Sequence, residues 1–193
     1  MSDERMLRPE EKLSGAEAVK LDLYFWLQAL VMALVSLIVV FTLVGRIIGV
    51  DGTSMIPTLR SSDMVLLQSL GYEPRQGDVV VITKDSFMEQ SIVKRVIAVG
   101  GQTVEIDYGA GIVYVDGVAL DEPYLGERME PPYSMYMTNH SLTVPEGSVF
   151  VMGDNRNNST DSRDIRLGTV DERYVLGRAL FVLLPLRDIG PIR

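Results

Sequence analysis

The sequence predicts a single membrane-spanning helix followed by a mainly β domain outside the bilayer. Three observations lead there. No charged residue occurs between Asp22 and Arg46. From Met64 onward the chain breaks into short β-branched and aliphatic runs punctuated by glycine, the signature of strands joined by tight turns. No amphipathic helical period is visible after Val50, and no internal repeat.

The uncharged interval comes first. It is dominated by Leu, Val, Ile, Ala and Phe, with Gln28, Ser36 and Thr42 as its clearly polar side chains. At 1.5 Å per residue about 20 apolar residues cross the hydrocarbon core, so residues 23–45 are long enough. A helix tolerates the few polar groups because its backbone is satisfied internally. Tyr24, Phe25 and Trp26 cluster at one end, as an interfacial aromatic belt does. A cleavable leader would need a shorter apolar core nearer the N-terminus and a small-residue cleavage site. Here polar residues come first and Arg46-Ile47-Ile48 follow, which favours an uncleaved anchor. The arm before it carries Arg5, Arg8, Lys12 and Lys20, against Arg46 after it. Basic residues near the span ends then place the N-terminus in the cytoplasm. The expected division is a cytoplasmic arm over residues 1–22, the span over 23–45 and an extracytoplasmic domain over 46–193.

The roughly 145 residues beyond the anchor suffice for one domain with its own core. A net charge of −8 argues against nucleic-acid binding, which needs a clustered basic face. The chain has no cysteine and one histidine. There is therefore no disulfide framework, no thiolate nucleophile and no Cys- or multi-His metal cluster, and no cofactor or metal is expected. His140 sits in a polar stretch between Pro132 and Pro145 and reads as an exposed loop residue.

Strands are expected at Met64–Leu67, Asp78–Thr83, Ile92–Val99, Ile112–Val115, Val118–Leu120, Val149–Met152 and Gly177–Leu184. Asp116-Gly117 between two of them is a type I′ hairpin signal. The stretch Asp121–Thr143, with Pro123, Pro131, Pro132 and several Met and Tyr, reads as an irregular excursion from the core.

Three segments carry candidate chemistry. In Val50-Asp51-Gly52-Thr53-Ser54-Met55-Ile56-Pro57-Thr58-Leu59, Ser54 lies in a glycine- and proline-bent stretch close behind the anchor. It is either a turn residue or a nucleophile. In Ile92-Val93-Lys94-Arg95-Val96-Ile97-Ala98-Val99, Lys94 interrupts an apolar strand. Strand alternation allows a solvent-facing lysine equally with a buried one, but burial would lower the amine pKa and make it a usable base. Met152–Asp164 is dense in Asp, Asn and Ser, the mark of a loop that bonds its own backbone. Counting from Asp154, Arg156 and Ser159 occupy positions where a calcium loop needs an acidic or amide ligand and a glycine, so that motif fails. Either the segment is a surface loop of alternating charge, or it is a rigid platform in which Asp161 and Arg163 pair and Ser159 bonds a neighbour.

In this order, behind an anchor, Gly-Thr-Ser-Met-Ile-Pro-Thr-Leu, Gly77-Asp78-Val79-Val80, Lys94-Arg95-Val96 and Gly-Asp-Asn-Arg-Asn-Asn-Ser-Thr-Asp-Ser-Arg resemble the bacterial type I signal peptidases. These are serine–lysine membrane proteases that remove signal peptides from exported proteins. The resemblance implies a β-rich catalytic domain, Ser54 as nucleophile and Lys94 as general base. It further implies that Ser159 orients the lysine amine and that Asp161 and Arg163 brace the site. Some relatives place a serine two positions before the nucleophile, where its hydroxyl donates to the oxyanion. Here that position is Gly52, as in many Gram-positive members, which leaves it a backbone role. The expected partners are signal peptides ending in Ala-x-Ala, bound as an added strand with Val50, Met55, Leu59, Ile92 and Val93 lining shallow pockets, together with membrane lipid. Two other readings stay open on sequence: a self-cleaving repressor-type serine–lysine protease, and an anchored β domain that binds partners without catalysis. An anchor where the repressors carry a DNA-binding domain speaks against the first.

Overall fold

The structure is a computed structural model that describes residues 15–43, 45–83 and 91–192. Most of the expected cytoplasmic arm, including Arg5, Arg8 and Lys12, lies outside the described residues. The chain divides into two compact units, one ending at Thr42 and the other beginning at Leu43.

The first unit is a helix, α1 (Gly15–Leu43). It begins ahead of the uncharged interval, since Glu17, Lys20 and Asp22 are unobjectionable helix residues. Its apolar side chains, Trp26, Leu30 and Ile38 among them, are exposed all round. A helix that is apolar on every side and long enough to cross a bilayer is a membrane span.

The described residues of the second unit are mainly β, with short 3₁₀ turns and irregular loops between the strands. Its strands are β1 (Gly45–Gly49), β2 (Met64–Gln68), β3 (Val79–Ile82), β4 (Ile92–Val99), β5 (Thr103–Asp107), β6 (Ile112–Val115), β7 (Val118–Ala119), β8 (Ser141–Thr143), β9 (Ser148–Met152), β10 (Val170–Asp171), β11 (Val175–Leu184) and β12 (Gly190–Pro191). Among the described residues they form two antiparallel sheets. The larger runs β1-β2-β11-β3-β4-β9-β10, with β12 also on β11, and the smaller runs β7-β6-β5-β8.

The central strand β3 reads as an unbroken apolar run because both of its faces are covered. Val79 and Val81 pack with Met55, Leu59, Val65 and Leu67 on one side. Val80 and Ile82 pack with Val149, Val151, Leu167 and Val170 on the other. On β4 the register to β9 shifts between Val96 and Ala98, as at a bulge, which re-aims side chains along a strand. Ile97 and Ala98 then join Phe150 and Met152 in a third core with Val104, Ile106, Val113 and Val115 of the smaller sheet. With Val93 in the first core and Val96 in the second, one strand thus serves all three.

The Asp116-Gly117 hairpin has the expected turn, with positive φ at both residues (52° and 76°). Asp121–Thr143 is irregular apart from β8 at its end. Five strands escape the sequence pattern. β1 hides in the apolar run continuing from the anchor, β5 and β8 are short and partly polar, and β10 and β12 have two residues each.

Candidate active site

Ser54 lies on the loop between β1 and β2. Its neck is closed by Val50 N–H donating to the Asp63 carbonyl and Ser62 N–H to the Val50 carbonyl, both at 2.8 Å. The buried Asp63 carboxylate accepts the Arg60 N–H at 2.8 Å. Inside the loop, Leu59 N–H donates to the Met55 carbonyl at 2.9 Å in one helical turn. That turn drives Met55 and Leu59, both buried, into the core beside Val65 and Val79. The two apolar side chains therefore plug the loop into the domain and leave the half-buried Ser54 at its rim.

Lys94, in the middle of β4, is 3 % exposed. Its Nζ donates to Ser54 Oγ at 2.7 Å and to its neighbour's carbonyl, Val93 O, at 3.0 Å. Desolvation pulls the amine pKa down from the ordinary 10.5 to about 8. Asp161 and, more weakly, Asp154 oppose that fall while Arg163 reinforces it, and burial, the largest influence, decides the outcome. The strand-lysine ambiguity resolves to the buried alternative.

The loop following β9 supplies the surroundings. Arg163 Nε and Nη2 grip the two Asp161 oxygens at 2.8 and 2.9 Å, and Gly153 N–H donates to Asp161 Oδ2 at 3.0 Å. Burial works against ionising Asp161, but the guanidinium and these N–H donors outweigh it and hold the carboxyl below the usual range. Ser159 is buried beside them; its hydroxyl helps to hold the Asp161 carboxyl ionised without reaching full hydrogen-bond geometry. Lys94 Nζ bonds Ser54 and Val93 rather than Ser159, so the contact expected of Ser159 is not made in this arrangement.

A cleft of about 310 Å³ opens over the pair, lined by Gly52, Ser54, Ile92, Val93 and Lys94 with Asn158 and Thr160. Ile92 and Val93 thus sit where a substrate side chain could touch them. Val50, Met55 and Leu59 do not line the cleft. They belong to the core cluster just beneath it, because their first task is to seat the loop. Gly52 is exposed with φ +96°, a backbone conformation that favours glycine.

Several residues were not singled out from the sequence. Arg95, adjacent to Lys94, is buried and held bidentately by Asp154 at 2.8 and 2.7 Å. The Tyr124 ring stacks under its guanidinium at 3.9 Å. Thr58 of the nucleophile loop donates to the same Asp154. Gly153 carries no side chain because a Cβ would lie 2.3 Å from Ser159 Oγ and 2.5 Å from the Ser54 carbonyl. The excursion is stitched onto this loop along its length. Glu122 pairs with Arg156, Asn157 Nδ2 reaches Glu127 and the Arg128 carbonyl at 2.9 Å, Met137 bridges to Asp164, and Asn139 Nδ2 donates to the Ser162 carbonyl at 3.0 Å. The available signal was the density of Asp and Asn in 152–164, which named the loop but not its partners. His140 is exposed, as expected of a loop histidine.

A serine hydroxyl within hydrogen-bond reach of an amine that burial makes a usable base is an arrangement for nucleophilic chemistry. Comparison with known proteins agrees with it. Residues 23–184 match the family model described as "Signal peptidase, peptidase S26". A "Probable signal peptidase I-1" of Synechocystis sp. is 38 % identical over 185 residues, covering 90 % of this chain and 87 % of its own. A "Signal peptidase I" of Bacillus licheniformis is 34 % identical over 179 residues, covering 88 % and 93 %. A "Signal peptidase I S" of Bacillus subtilis is 34 % identical over 172 residues, covering 85 % and 90 %. A match that runs through the helix and the β domain alike goes well beyond shared motifs: the chain belongs to the signal peptidase family, peptidase S26.

Proposed function

We propose that the protein is a membrane-anchored serine endopeptidase that removes N-terminal signal peptides from exported preproteins after small residues of the Ala-x-Ala type. The observation that carries the reading is the 2.7 Å bond between a buried lysine amine and Ser54 Oγ. Ser54 Oγ attacks the scissile carbonyl while its proton passes to neutral Lys94 Nζ. The tetrahedral oxyanion takes a hydrogen bond from the Ser54 backbone N–H. Collapse returns the proton from Lys94 to the leaving amine and leaves the signal peptide as an acyl ester on Ser54. Water, deprotonated by Lys94, then hydrolyses that ester. Ser159 accepts an N–H of the neutral Lys94 amine once the cleft is filled, leaving the amine lone pair for the Ser54 hydroxyl proton, and Asp161 with Arg163 braces that wall.

The substrate enters extended along the cleft, its small side chains against Ile92 and Val93, which the core residues Val50, Met55 and Leu59 support from beneath. Residues 23–45 cross the cell membrane with the arm 1–22 in the cytoplasm and 46–193 on the opposite side. The few residues from Arg46 to Ser54 stretch at most about 30 Å. Enzyme and precursor therefore meet on one membrane, at a raised effective concentration.

The test is cleavage of a preprotein by full-length enzyme in liposomes, with mass mapping of the residue labelled by a serine-directed acylating inhibitor. Label on Ser54, and loss of cleavage in Ser54→Ala and Lys94→Ala, are expected. Lys94→Arg should stay inactive, because guanidinium does not deprotonate near neutral pH. Near-normal turnover by Lys94→Arg would overturn the dyad. A folded protein that neither labels nor cleaves would instead be the anchored binding domain.

A further inference from the structure

Asn155 grips the nucleophile from both sides. Its backbone N–H donates to the Ser54 carbonyl at 3.0 Å. Its side-chain Nδ2 donates to the Thr53 carbonyl at 3.1 Å. The atom facing Thr53 must be the nitrogen, since a carbonyl oxygen accepts and cannot donate. Asn158 adds a third tie, from Nδ2 to Thr53 Oγ1 at 3.2 Å. The peptide planes before and after Ser54 are thus both held by one residue that, among the described residues, makes no hydrogen bond to Ser54 Oγ or to Lys94.

The Thr53 carbonyl and the Ser54 N–H belong to the same peptide plane. Among the described residues the cis bonds lie elsewhere, at Ile56-Pro57 and Leu184-Pro185, so this bond is trans, and in a trans peptide C=O and N–H point in opposite directions. Asn155 does not line the cleft over Lys94. It stands on the wall of a separate hollow of about 270 Å³ with Ile56, Pro57 and Gly126. A carbonyl turned toward Asn155 therefore turns its partner N–H away from that hollow. Among the described residues, no other group accepts that N–H. Donation to the carbonyl oxygen also polarises the amide and makes the N–H a stronger donor.

We propose that Asn155 is a positioning residue for the oxyanion hole: by bonding the Thr53 carbonyl it holds the Thr53–Ser54 peptide with the Ser54 N–H directed at the developing oxyanion. The inference rests on the reading of Ser54 as nucleophile. With Gly52 supplying no hydroxyl, the Ser54 N–H carries more of the oxyanion's charge, and its orientation is worth fixing from outside.

The experiment compares full-length wild-type enzyme, Asn155→Ala and Asn155→Asp in detergent on a signal-peptide substrate. Ser54→Ala is run as control, and thermal unfolding checks that each variant is folded at the assay temperature. Asn155→Ala keeps the backbone bond to Ser54 and loses the side-chain donor. Asn155→Asp keeps the shape but sets an acceptor against the carbonyl. Removing one oxyanion donor outright costs about 10²–10³ in kcat, and releasing its orientation should cost about tenfold or more, with the Asp variant below the Ala variant. KM should stay within about twofold. Affinity for a peptide boronate, whose tetrahedral adduct places an oxygen in the hole, should fall in step with kcat/KM, while affinity for the product peptide holds. The midpoint of the pH–rate limb should not move, because Lys94 is untouched. A kcat within twofold of wild type in either variant, a rise in KM matching the loss, or a shifted pH midpoint would overturn the proposal. Turnover in Ser54→Ala would instead overturn the nucleophile assignment. An inactive Ser54→Ala beside unaffected Asn155 variants would defeat this inference alone.

Discussion

Replacing Lys94 by methionine should make the protein more stable at neutral pH and wholly inactive. The amine is 3 % exposed, and burial holds its pKa near 8 against the ordinary 10.5. At about 1.36 kcal/mol per pH unit, keeping the ammonium charged inside the fold at pH 7 costs about 3 kcal/mol. Methionine, of similar length and apolar, escapes that cost. It also gives up the bonds to Ser54 Oγ and Val93 O, each worth about 1 kcal/mol, so the net gain at pH 7 should be about 1–2 kcal/mol. The pH dependence is the sharper signature. Below pH 8 the folded and unfolded wild-type chains are both protonated at this site, and the cost is fully present. Between pH 8 and 10.5 the unfolded chain binds more protons than the folded one, so wild-type stability rises with pH. The advantage of Lys94→Met should therefore shrink by about 3 kcal/mol between pH 7 and pH 10.5, and the lost hydrogen bonds do not titrate. Urea unfolding of the two full-length proteins in the same detergent across that range measures it. A variant advantage that stays flat with pH, or grows, would refute the buried-amine account.

Turnover should rise with pH to a plateau above the Lys94 pKa of about 8 and keep that limb in His140→Ala. Asp161 raises the lysine pKa and Arg163 lowers it. Asp161→Asn should accordingly shift the limb to lower pH and Arg163→Gln to higher pH; a pH–rate profile of each variant reads the sign. Gly153→Ala places a Cβ 2.5 Å from the Ser54 carbonyl and 2.3 Å from Ser159 Oγ. It should cut kcat at least about a hundredfold while sparing much of the fold, which circular dichroism can follow. Asp154→Ala removes the bidentate carboxylate from the Arg95 guanidinium, itself 2 % exposed, and should cost about 3–5 kcal/mol in denaturant unfolding.

The anchor and most of the long strands were legible because they rest on local signals: an uncharged span, and runs such as Val79–Ile82 whose composition matches their burial. Asp116-Gly117 announced its hairpin for the same reason. What escaped depends on tertiary placement. β1 cannot be told from the tail of an apolar helix by composition. Arg95 and Asp154 look like surface charges until they meet across 59 positions of sequence. Met55 and Leu59 read as pocket residues because the motif draws the eye to Ser54, whereas the turn between them points both into the core. Ser159 was expected to bond the lysine and does not do so here, because a hydroxyl's partner is set by rotamer and by a few tenths of an ångström that no pattern encodes.

The stitching of the site has a bearing on when the enzyme becomes dangerous. Ser54 and Lys94 are 40 positions apart, Ser54 and its backbone clamp on Asn155 about 100 apart, and the brace between Glu122 and Arg156 spans 34. Contacts of that separation form late, after the loop-closure entropy has been offset by burial. A partly folded chain has neither a desolvated lysine nor a seated serine, and an amine left in water is protonated and no base. Proteolytic competence thus arrives with the last tertiary contacts. Until those contacts form, the chain presents no proteolytic site to any neighbouring polypeptide, its own sister chains included.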